Sequence, residues 1–120
     1  MSGTVLVVDD DLLIVAFLAE ALEGEGYQVQ TSVDGEALQR ARDTRPDVIL
    51  LDITMPVMDG VEVSRRLRDD PETADIPIVV MSAQDRIRAT SALMQVNDRL
   101  PKPFELDQLY ATVARWMPAS

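Results

Sequence analysis

The most constraining feature of the chain is an unbroken apolar run, residues 48–51, that ends abruptly in a carboxylate, Asp52. A short run that is apolar at every position is typical of a strand buried on both faces inside a parallel sheet. Pro56 and Asp59-Gly60 follow and predict a turn. Open α/β sheets bind ligands at the carboxyl ends of their strands, where Asp52 is expected to lie. A lone aspartate there is also consistent with a strand end or a helix cap.

Four other segments are predicted to be strands. Residues 4–8 are rich in β-branched side chains, and residues 78–81 form another apolar run. Residues 27–32 are more polar, which favours a position near an edge of the sheet. Residues 97–100 carry little apolar content and predict a short fifth strand.

Helical patterns lie between and after these strands. Apolar side chains at three- and four-residue spacing predict a first helix that two glycines end. Its apolar positions are Leu13, Phe17, Leu18, Ala21 and Leu22, before Gly24 and Gly26. Further helices are predicted over 36–42, from Gly60 to residue 69, and over 106–117. Residues 84–96 have low helix propensity, so this predicted helix is expected to be among the most mobile regions.

The segments alternate strand and helix five times, which predicts a parallel sheet covered by helices on both sides with right-handed crossovers. All five carboxyl ends of the strands then share one edge. Four of them carry groups suited to chemistry, namely Asp9 and Asp10, Asp52, Ser82 and Lys102. A strand end or a helix cap accounts for one aspartate, but it does not account for this convergence.

Composition limits the chemistry of such an edge. The 120 residues include 21 acidic and 11 basic side chains, for a formal net charge of −10, with no histidine and no cysteine. The acidic excess argues against direct nucleic-acid binding, which needs clustered Lys and Arg. The absence of cysteine excludes disulfides and thiolate chemistry, and the absence of histidine removes the commonest general base. Any chemistry at this edge must therefore use carboxylates, hydroxyls and amines.

Carboxylates, an amine and a hydroxyl together suit phosphoryl transfer. Three carboxylates within a few ångströms raise one another's pKa, and a divalent cation relieves the repulsion. Oxygen ligands suit Mg²⁺, which keeps several waters and needs few protein oxygens. The free carboxylate attacks phosphorus while the cation and the amine neutralise the equatorial oxygens. The residues therefore predict an aspartyl phosphate.

Five motifs, taken in order, make the chain resemble a receiver (response-regulator) domain of bacterial two-component and phosphorelay signalling. They are Val7-Val8-Asp9-Asp10, Leu51-Asp52, Met55-Pro56-Val57-Met58-Asp59-Gly60, Met81-Ser82-Ala83 and Lys102-Pro103-Phe104. The resemblance implies a flavodoxin-like, doubly wound α/β sandwich with strand order 2-1-3-4-5. A single receiver domain is expected over residues 1–120, with an ordered core of about 4–117.

The resemblance implies a phosphoacceptor and a metal site. Asp52 is the expected phosphoacceptor. Mg²⁺ (or Mn²⁺) is expected to bind Asp10, Asp52 and the backbone carbonyl of Thr54 directly, and Asp9 largely through water. Thr54 and Gln84, each two residues past a site residue, are expected to tune hydrolysis of the phosphoryl group.

The resemblance also implies which groups bind the phosphoryl oxygens. Lys102, Ser82 and Ala83 are expected to do so, and Ser82 is also the expected switch hydroxyl. The Lys102–Pro103 peptide bond is expected to be cis, an isomer that proline makes accessible.

Arg99 departs from the family pattern, which usually has Tyr or Phe three residues before the lysine. The chain also has Gln95-Val96 where the family tends to have Gly-Ala, and the interval from Ser82 to the lysine is about two residues short. A guanidinium resists burial without a partner. We therefore predict that the head group of Arg99 lies outward, against Asp85 or Asp98, and that output coupling differs from the usual arrangement.

The implied partners are proteins. A sensor histidine kinase or a histidine phosphotransfer domain is expected to supply the phosphoryl group, in keeping with the absence of histidine in this chain. The output partner and the oligomeric state are not indicated by the sequence. A cytoplasmic protein is expected, because no stretch suits a membrane span or a signal peptide. The only expected catalysis is phosphorylation and dephosphorylation of Asp52 itself.

Two other classes fit part of the pattern. A hydrolase of the haloacid dehalogenase type also combines Mg²⁺ with an aspartyl phosphate, and residues 9–11 contain its Asp-x-Asp spacing. That class needs an acidic pair after its lysine, and only Glu105 and Asp107 are available there. A flavodoxin-like cofactor-binding module shares the architecture, but the acidic first loop would repel its phosphate.

Overall fold

The computed structural model describes residues 3–33, 36–53, 60–83 and 95–118. The strands are β1 Thr4–Val8, β2 Gln28–Ser32, β3 Val48–Asp52, β4 Ile78–Ala83 and β5 Asp98–Lys102. The helices are α1 Leu12–Gly24, α2 Ala37–Thr44, α3 Gly60–Asp69 and α4 Leu106–Trp116. The helix predicted over 84–96 lies almost entirely outside the described residues.

The five strands form one parallel sheet in the order β2-β1-β3-β4-β5, which confirms the predicted flavodoxin-like topology. Three strands, β3, β4 and β5, are longer at their carboxyl ends than predicted. The ladder between β4 and β5 continues through Ser82 opposite Pro101 and Ala83 opposite Lys102. Backbone pairing does not require apolar side chains, so the polar residues at these ends stay within the sheet.

Successive side chains of the sheet point to opposite faces, and each face has its own apolar core. One core joins the sheet to α1 and α4, through residues such as Leu18, Leu22, Leu109 and Val113. The other joins the sheet to α2 and α3, through residues such as Ala37, Ala41, Val63 and Leu67. The sheet is therefore a middle layer, and β1, β3 and β4 are its most buried strands.

The buried face of α1 agrees with the predicted one at Leu18 and Leu22 but differs from it at Leu13 and Phe17. Val15, Leu18 and Leu22 are buried, whereas Leu13 and Phe17 are 83% and 53% exposed. Leu13 and Phe17 lie about half a helical turn away from Val15, because each residue advances about 100° around the axis. Three- and four-residue spacing is present on both faces of α1, so the spacing alone did not identify the face that meets the sheet.

Among the described residues, no helix has both the length and the apolar character that a membrane span requires.

Candidate functional site

The carboxyl ends of β1 and β3 bring three aspartates together. Val8 pairs with Leu51, so Asp9 and Asp52 follow on neighbouring strands. Oxygen atoms of Asp9, Asp10 and Asp52 lie within 4.8 Å of one another. Asp9 and Asp52 are buried, while Asp10 is half-buried and faces the surface of the edge.

The loop after β1 fixes Asp9 through a backbone contact. The N–H of Asp11 donates to Oδ1 of Asp9 at 2.9 Å. Asp11 itself caps α1, since its Oδ1 accepts from the N–H groups of Leu13 at 3.0 Å and Ile14 at 3.4 Å. Asp11 therefore serves the helix as its N-cap residue, a common role for aspartate, and is separate from the acidic cluster.

Burial raises the pKa of the Asp9 carboxyl to about 6 from an ordinary 3.8. The Asp11 N–H lowers this pKa, the neighbouring Asp52 carboxylate raises it further, and Lys102 lowers it. Oδ2 of Asp9 is buried and has no hydrogen-bond partner among the described residues. A buried carboxylate that lies beside a second carboxylate and has an oxygen without a hydrogen bond is suited to a bound divalent cation, which would take the place of the proton.

Lys102 reaches this cluster from the end of β5. Its Nζ lies 3.8 Å from Oδ2 of Asp52 and 3.9 Å from Oδ2 of Asp9. The side chain is 30% exposed, so the ammonium sits at the opening of the site. The Lys102–Pro103 peptide bond is cis, the isomer that the resemblance implied.

Ser82 and Ala83 end the neighbouring strand β4. Ser82 is fully buried, and its Oγ has no hydrogen-bond partner among the described residues. Ala83 is exposed and pairs with Lys102 in the ladder. The structure thus brings Asp9, Asp10, Asp52 and Lys102 together, with both β4 residues at the same edge of the sheet. Thr54 and Gln84 lie outside the described residues.

Arg99 is exposed, but the structure does not pair it with Asp98. The backbone N–H of Arg99, not its guanidinium, donates to Oδ1 of Asp98 at 2.9 Å. Oδ2 of Asp98 accepts from Arg115 at 2.5 Å and from the indole N–H of Trp116 at 2.9 Å. Asp98 is therefore engaged with α4, and Asp85, the other predicted partner, lies outside the described residues.

Two polar residues near the amino ends of β4 and β5 had no predicted role. Arg68, on α3, donates to Oδ1 of Asn97 at 2.6 Å, just before β5 begins. Asn97 in turn bonds to Ile78 at the start of β4. The partners are 19 to 29 residues apart, and no local sequence pattern indicates such contacts.

Comparison with known proteins gives a consistent result. The family model of the response regulator receiver domain matches residues 5–114. The transcriptional regulatory protein PrrA of Mycobacterium leprae is 45% identical over 115 residues, which are 93% of this chain and 48% of that protein. The response regulator MprA of Mycobacterium ulcerans is 42% identical over 114 residues, or 92% of this chain and 48% of that protein. The chain thus spans about half the length of these curated relatives.

Solved structures agree with the sequence comparisons. The chemotaxis protein CheY4 of Vibrio cholerae superposes with a TM-score of 0.88 at 32% identity, covering 98% of this chain and all of that one. The receiver domain of the sensor histidine kinase PA1611 of Pseudomonas aeruginosa has a TM-score of 0.88 at 29% identity, covering 97% and 98%. That structure holds a magnesium ion coordinated in its active-site cleft.

Proposed function

Because the chain belongs to the response regulator receiver domain family, we propose that Asp52 accepts a phosphoryl group from a phosphohistidine and that this modification controls an output partner. One observation carries the proposal. Three carboxylates and the Lys102 ammonium, 3.8 Å from Asp52, meet at the carboxyl edge of the sheet. A carboxylate nucleophile beside a cation-binding cluster and a fixed amine is what phosphoryl transfer to an aspartate requires.

The reaction forms one bond and breaks one. An oxygen of Asp52 bonds to phosphorus as the N–P bond of the phosphohistidine breaks, and the electron pair of that bond returns to the imidazole nitrogen. Lys102 donates a hydrogen bond to a phosphoryl oxygen and neutralises part of its charge. The Ser82 hydroxyl and the Ala83 backbone N–H bind the remaining oxygens from the end of β4.

Mg²⁺ fits the acidic cluster by its chemistry, since the donors are all oxygens and one buried oxygen of Asp9 is free of hydrogen bonds among the described residues. Asp10, Asp52 and the Thr54 carbonyl would hold the ion directly, and Asp9 largely through water. When bound, the ion neutralises charge on the transferring group.

The proposal extends to partners, catalysis and compartment. The phosphoryl donor is a sensor histidine kinase or a histidine phosphotransfer domain, and the protein acts in the cytoplasm. The only reaction that the chain catalyses is its own phosphorylation and dephosphorylation at Asp52. A Mg²⁺-dependent hydrolase is not favoured, because the acids after Lys102 are Glu105, which caps α4, and Asp107, which is exposed on α4.

The decisive experiment is intact-mass analysis after incubation with acetyl phosphate and Mg²⁺. We expect the wild type to gain one phosphoryl group and Asp52→Asn to gain none. Asp75→Asn, which changes an exposed acid after α3, is the matched control and should be phosphorylated like the wild type. A stable phosphoryl mass on Asp52→Asn would contradict the assignment. Release of many equivalents of phosphate per chain would instead indicate a hydrolase.

A further inference from the structure

The strand that carries Lys102 has few features of its own to fix its register. β5 is an edge strand, and of its residues only Leu100 is buried. Pro101 has no N–H to donate to a ladder. Because side chains alternate between faces, a slip of one residue would move Lys102 to the opposite face of the sheet, away from Asp52.

Asn97 fixes the amino end of this strand. Its backbone N–H donates to the carbonyl of Ile78 at 2.9 Å, and its side-chain Oδ1 accepts from the N–H of Ile78 at 2.9 Å. Asn97 therefore engages both backbone groups of the first residue of β4. The ladder then continues in register from Val79 opposite Asp98 to Ala83 opposite Lys102.

Arg68 holds Asn97 in this position. Its Nη2 donates to Oδ1 of Asn97 at 2.6 Å, and its Nε donates to the carbonyl of Gln95 at 2.9 Å. Its Nη1 donates to the carbonyls of Ala74 at 2.9 Å and Ile76 at 2.7 Å. One guanidinium thus joins the end of α3 to the segments that lead into both β4 and β5.

The partners of Arg68 in these contacts are neutral oxygens. No ion pair of Arg68 with a carboxylate occurs among the described residues, in contrast to Arg42, Arg65 and Arg66, which pair with acids. The donors of a guanidinium lie in one rigid plane, so four such bonds hold the partners of Arg68 in fixed positions relative to one another. Both groups that bond to Oδ1 of Asn97 are N–H donors, so the amide oxygen must face them.

We propose that Arg68 and Asn97 are positioning residues for Lys102, because they set the register of β5 on β4 and so bring the ammonium to Asp52. The inference rests on the proposed function in taking Lys102 as the group that binds the phosphoryl oxygens. Asn97 and Lys102 are five residues apart, about 16 Å along a strand. The register that is set at Asn97 also holds at Lys102, because a strand can shift along its neighbour only by whole residues.

The test compares two affinities in the same variants. Beryllofluoride, an analogue of the phosphoryl group, needs Lys102, whereas Mg²⁺ alone needs the aspartates at the carboxyl ends of β1 and β3 and the Thr54 carbonyl. In Asn97→Leu and Arg68→Met we expect beryllofluoride affinity, measured with saturating Mg²⁺, to fall at least about fivefold. Mg²⁺ affinity should not fall in either variant, because the metal ligands do not lie on β4 or β5, and it should rise by up to about tenfold as the Lys102 ammonium leaves Asp52.

Two matched variants separate register from general stability. Asn97→Asp keeps an oxygen that accepts both bonds and should retain wild-type beryllofluoride affinity. Arg66→Met removes another arginine of α3, one that is exposed and pairs with Glu62, and should have no effect. In a Lys102→Met background, Arg68→Met should cause no further loss, since the group that it positions is gone.

The outcomes distinguish this proposal from the proposed function. If Lys102→Met leaves beryllofluoride affinity unchanged, the phosphoryl-binding role of Lys102 is wrong. In that case the register of β5 is still tested, because NMR contacts between β4 and β5 in Asn97→Leu report it without reference to Lys102. Pairing that is unchanged from the wild type would overturn the inference. Loss of thermal stability with unchanged beryllofluoride affinity in Asn97→Leu and Arg68→Met would also overturn it. If Arg68→Met does not fold, Arg68→Lys, which keeps the charge but not the planar set of donors, gives the same comparison.

Discussion

Nζ of Lys102 lies 3.8 Å from Oδ2 of Asp52, so a fixed cation stands beside the carboxylate that is proposed to receive the phosphoryl group. The Lys102 ammonium and a metal ion at the aspartates are both cations and repel each other. The ammonium therefore opposes binding of the ion. We expect Lys102→Met to tighten Mg²⁺ binding about threefold to tenfold, and to slow phosphorylation by acetyl phosphate about tenfold or more. Calorimetric Mg²⁺ titration and a mass time course measure the two effects.

The control for Lys102→Met is Arg115→Met, which removes a cation that pairs with Asp98 on α4. It should leave both quantities near their wild-type values. Weaker Mg²⁺ binding in Lys102→Met would show that the lysine supports the metal site instead of competing with the ion.

Asp10 and Asp9 should differ in their contribution to Mg²⁺ binding. Asp9 has one oxygen committed to the Asp11 N–H, whereas Asp10 is half-buried at the surface of the edge. We expect Asp10→Ala to weaken Mg²⁺ binding about tenfold or more, and Asp9→Ala to weaken it less, because it acts largely through water. Equal losses in parallel titrations would overturn this ranking.

The raised pKa of Asp9 predicts a pH dependence of stability without Mg²⁺. The folded state holds the Asp9 proton up to about pH 6, while the unfolded chain releases it near 3.8. The contribution of Asp9 is therefore fully present below pH 3.8 and is lost as pH rises through about 6. Relative to Asp9→Asn, the free energy of unfolding of the wild type should fall by about 1–3 kcal/mol between pH 4 and 7.

Urea unfolding in EDTA at several pH values, for the wild type and Asp9→Asn, measures this difference. The difference between the two proteins is the relevant quantity, because other carboxylates, such as Asp70 and Asp98, have lowered pKa values and contribute with the opposite sign. If the free energy of unfolding of the wild type rose between pH 4 and 7 relative to that of Asp9→Asn, this would be incompatible with a buried, proton-binding Asp9.

The parallel sheet and the identity of the clustered groups could be predicted because their signals are local, whereas the strand order 2-1-3-4-5 was implied by the family resemblance. An apolar run that ends in an aspartate, as at β1 and β3, marks both a buried strand and the edge where it ends, and the alternation of strands with helices indicates a parallel sheet. The position of Lys102 relative to Asp52 could not be derived in this way. It depends on the register of β5, and Arg68 and Asn97, which bond 29 residues apart in sequence, carry no local pattern.

The exposed residues of α1 illustrate a second limit. Leu13 and Phe17 have the same spacing and apolar character as Leu18 and Leu22, yet they lie on the opposite side of the helix. Periodicity indicates that a helix has an apolar stripe, but α1 has two, and only packing against the sheet selects one.

Gly60 is expected to be necessary where α3 begins. A Cβ at Gly60 would lie 2.5 Å from the Cα of Ile53, the residue after Asp52, and backbone there cannot move away cheaply. We expect Gly60→Ala to lower the free energy of unfolding by about 1–3 kcal/mol. Gly24→Ala is the matched control, because a Cβ there has nothing within 4 Å and alanine favours the helix. Urea unfolding of both variants tests the prediction, and equal stabilities would contradict it.

Arg99 should alter how phosphorylation is communicated to the surface. In the arrangement that the resemblance implies, the switch hydroxyl moves toward the phosphoryl group and a buried aromatic side chain fills the space that it leaves. Arg99 is exposed, and a guanidinium resists burial without a partner. We therefore expect Ser82 to respond to beryllofluoride while the segment of residues 84–99 gains no protection that depends on Arg99.

Amide hydrogen exchange with and without beryllofluoride, in the wild type, Arg99→Ala and Arg99→Tyr, tests this expectation. Arg99→Ala should give the same exchange pattern as the wild type. Arg99→Tyr restores an aromatic side chain on β5 and should add protection over residues 84–99, because a neutral ring can be buried beside Ser82 at lower cost. Strong protection that is confined to this segment in the wild type and lost in Arg99→Ala would show that the arginine itself couples the site to the surface.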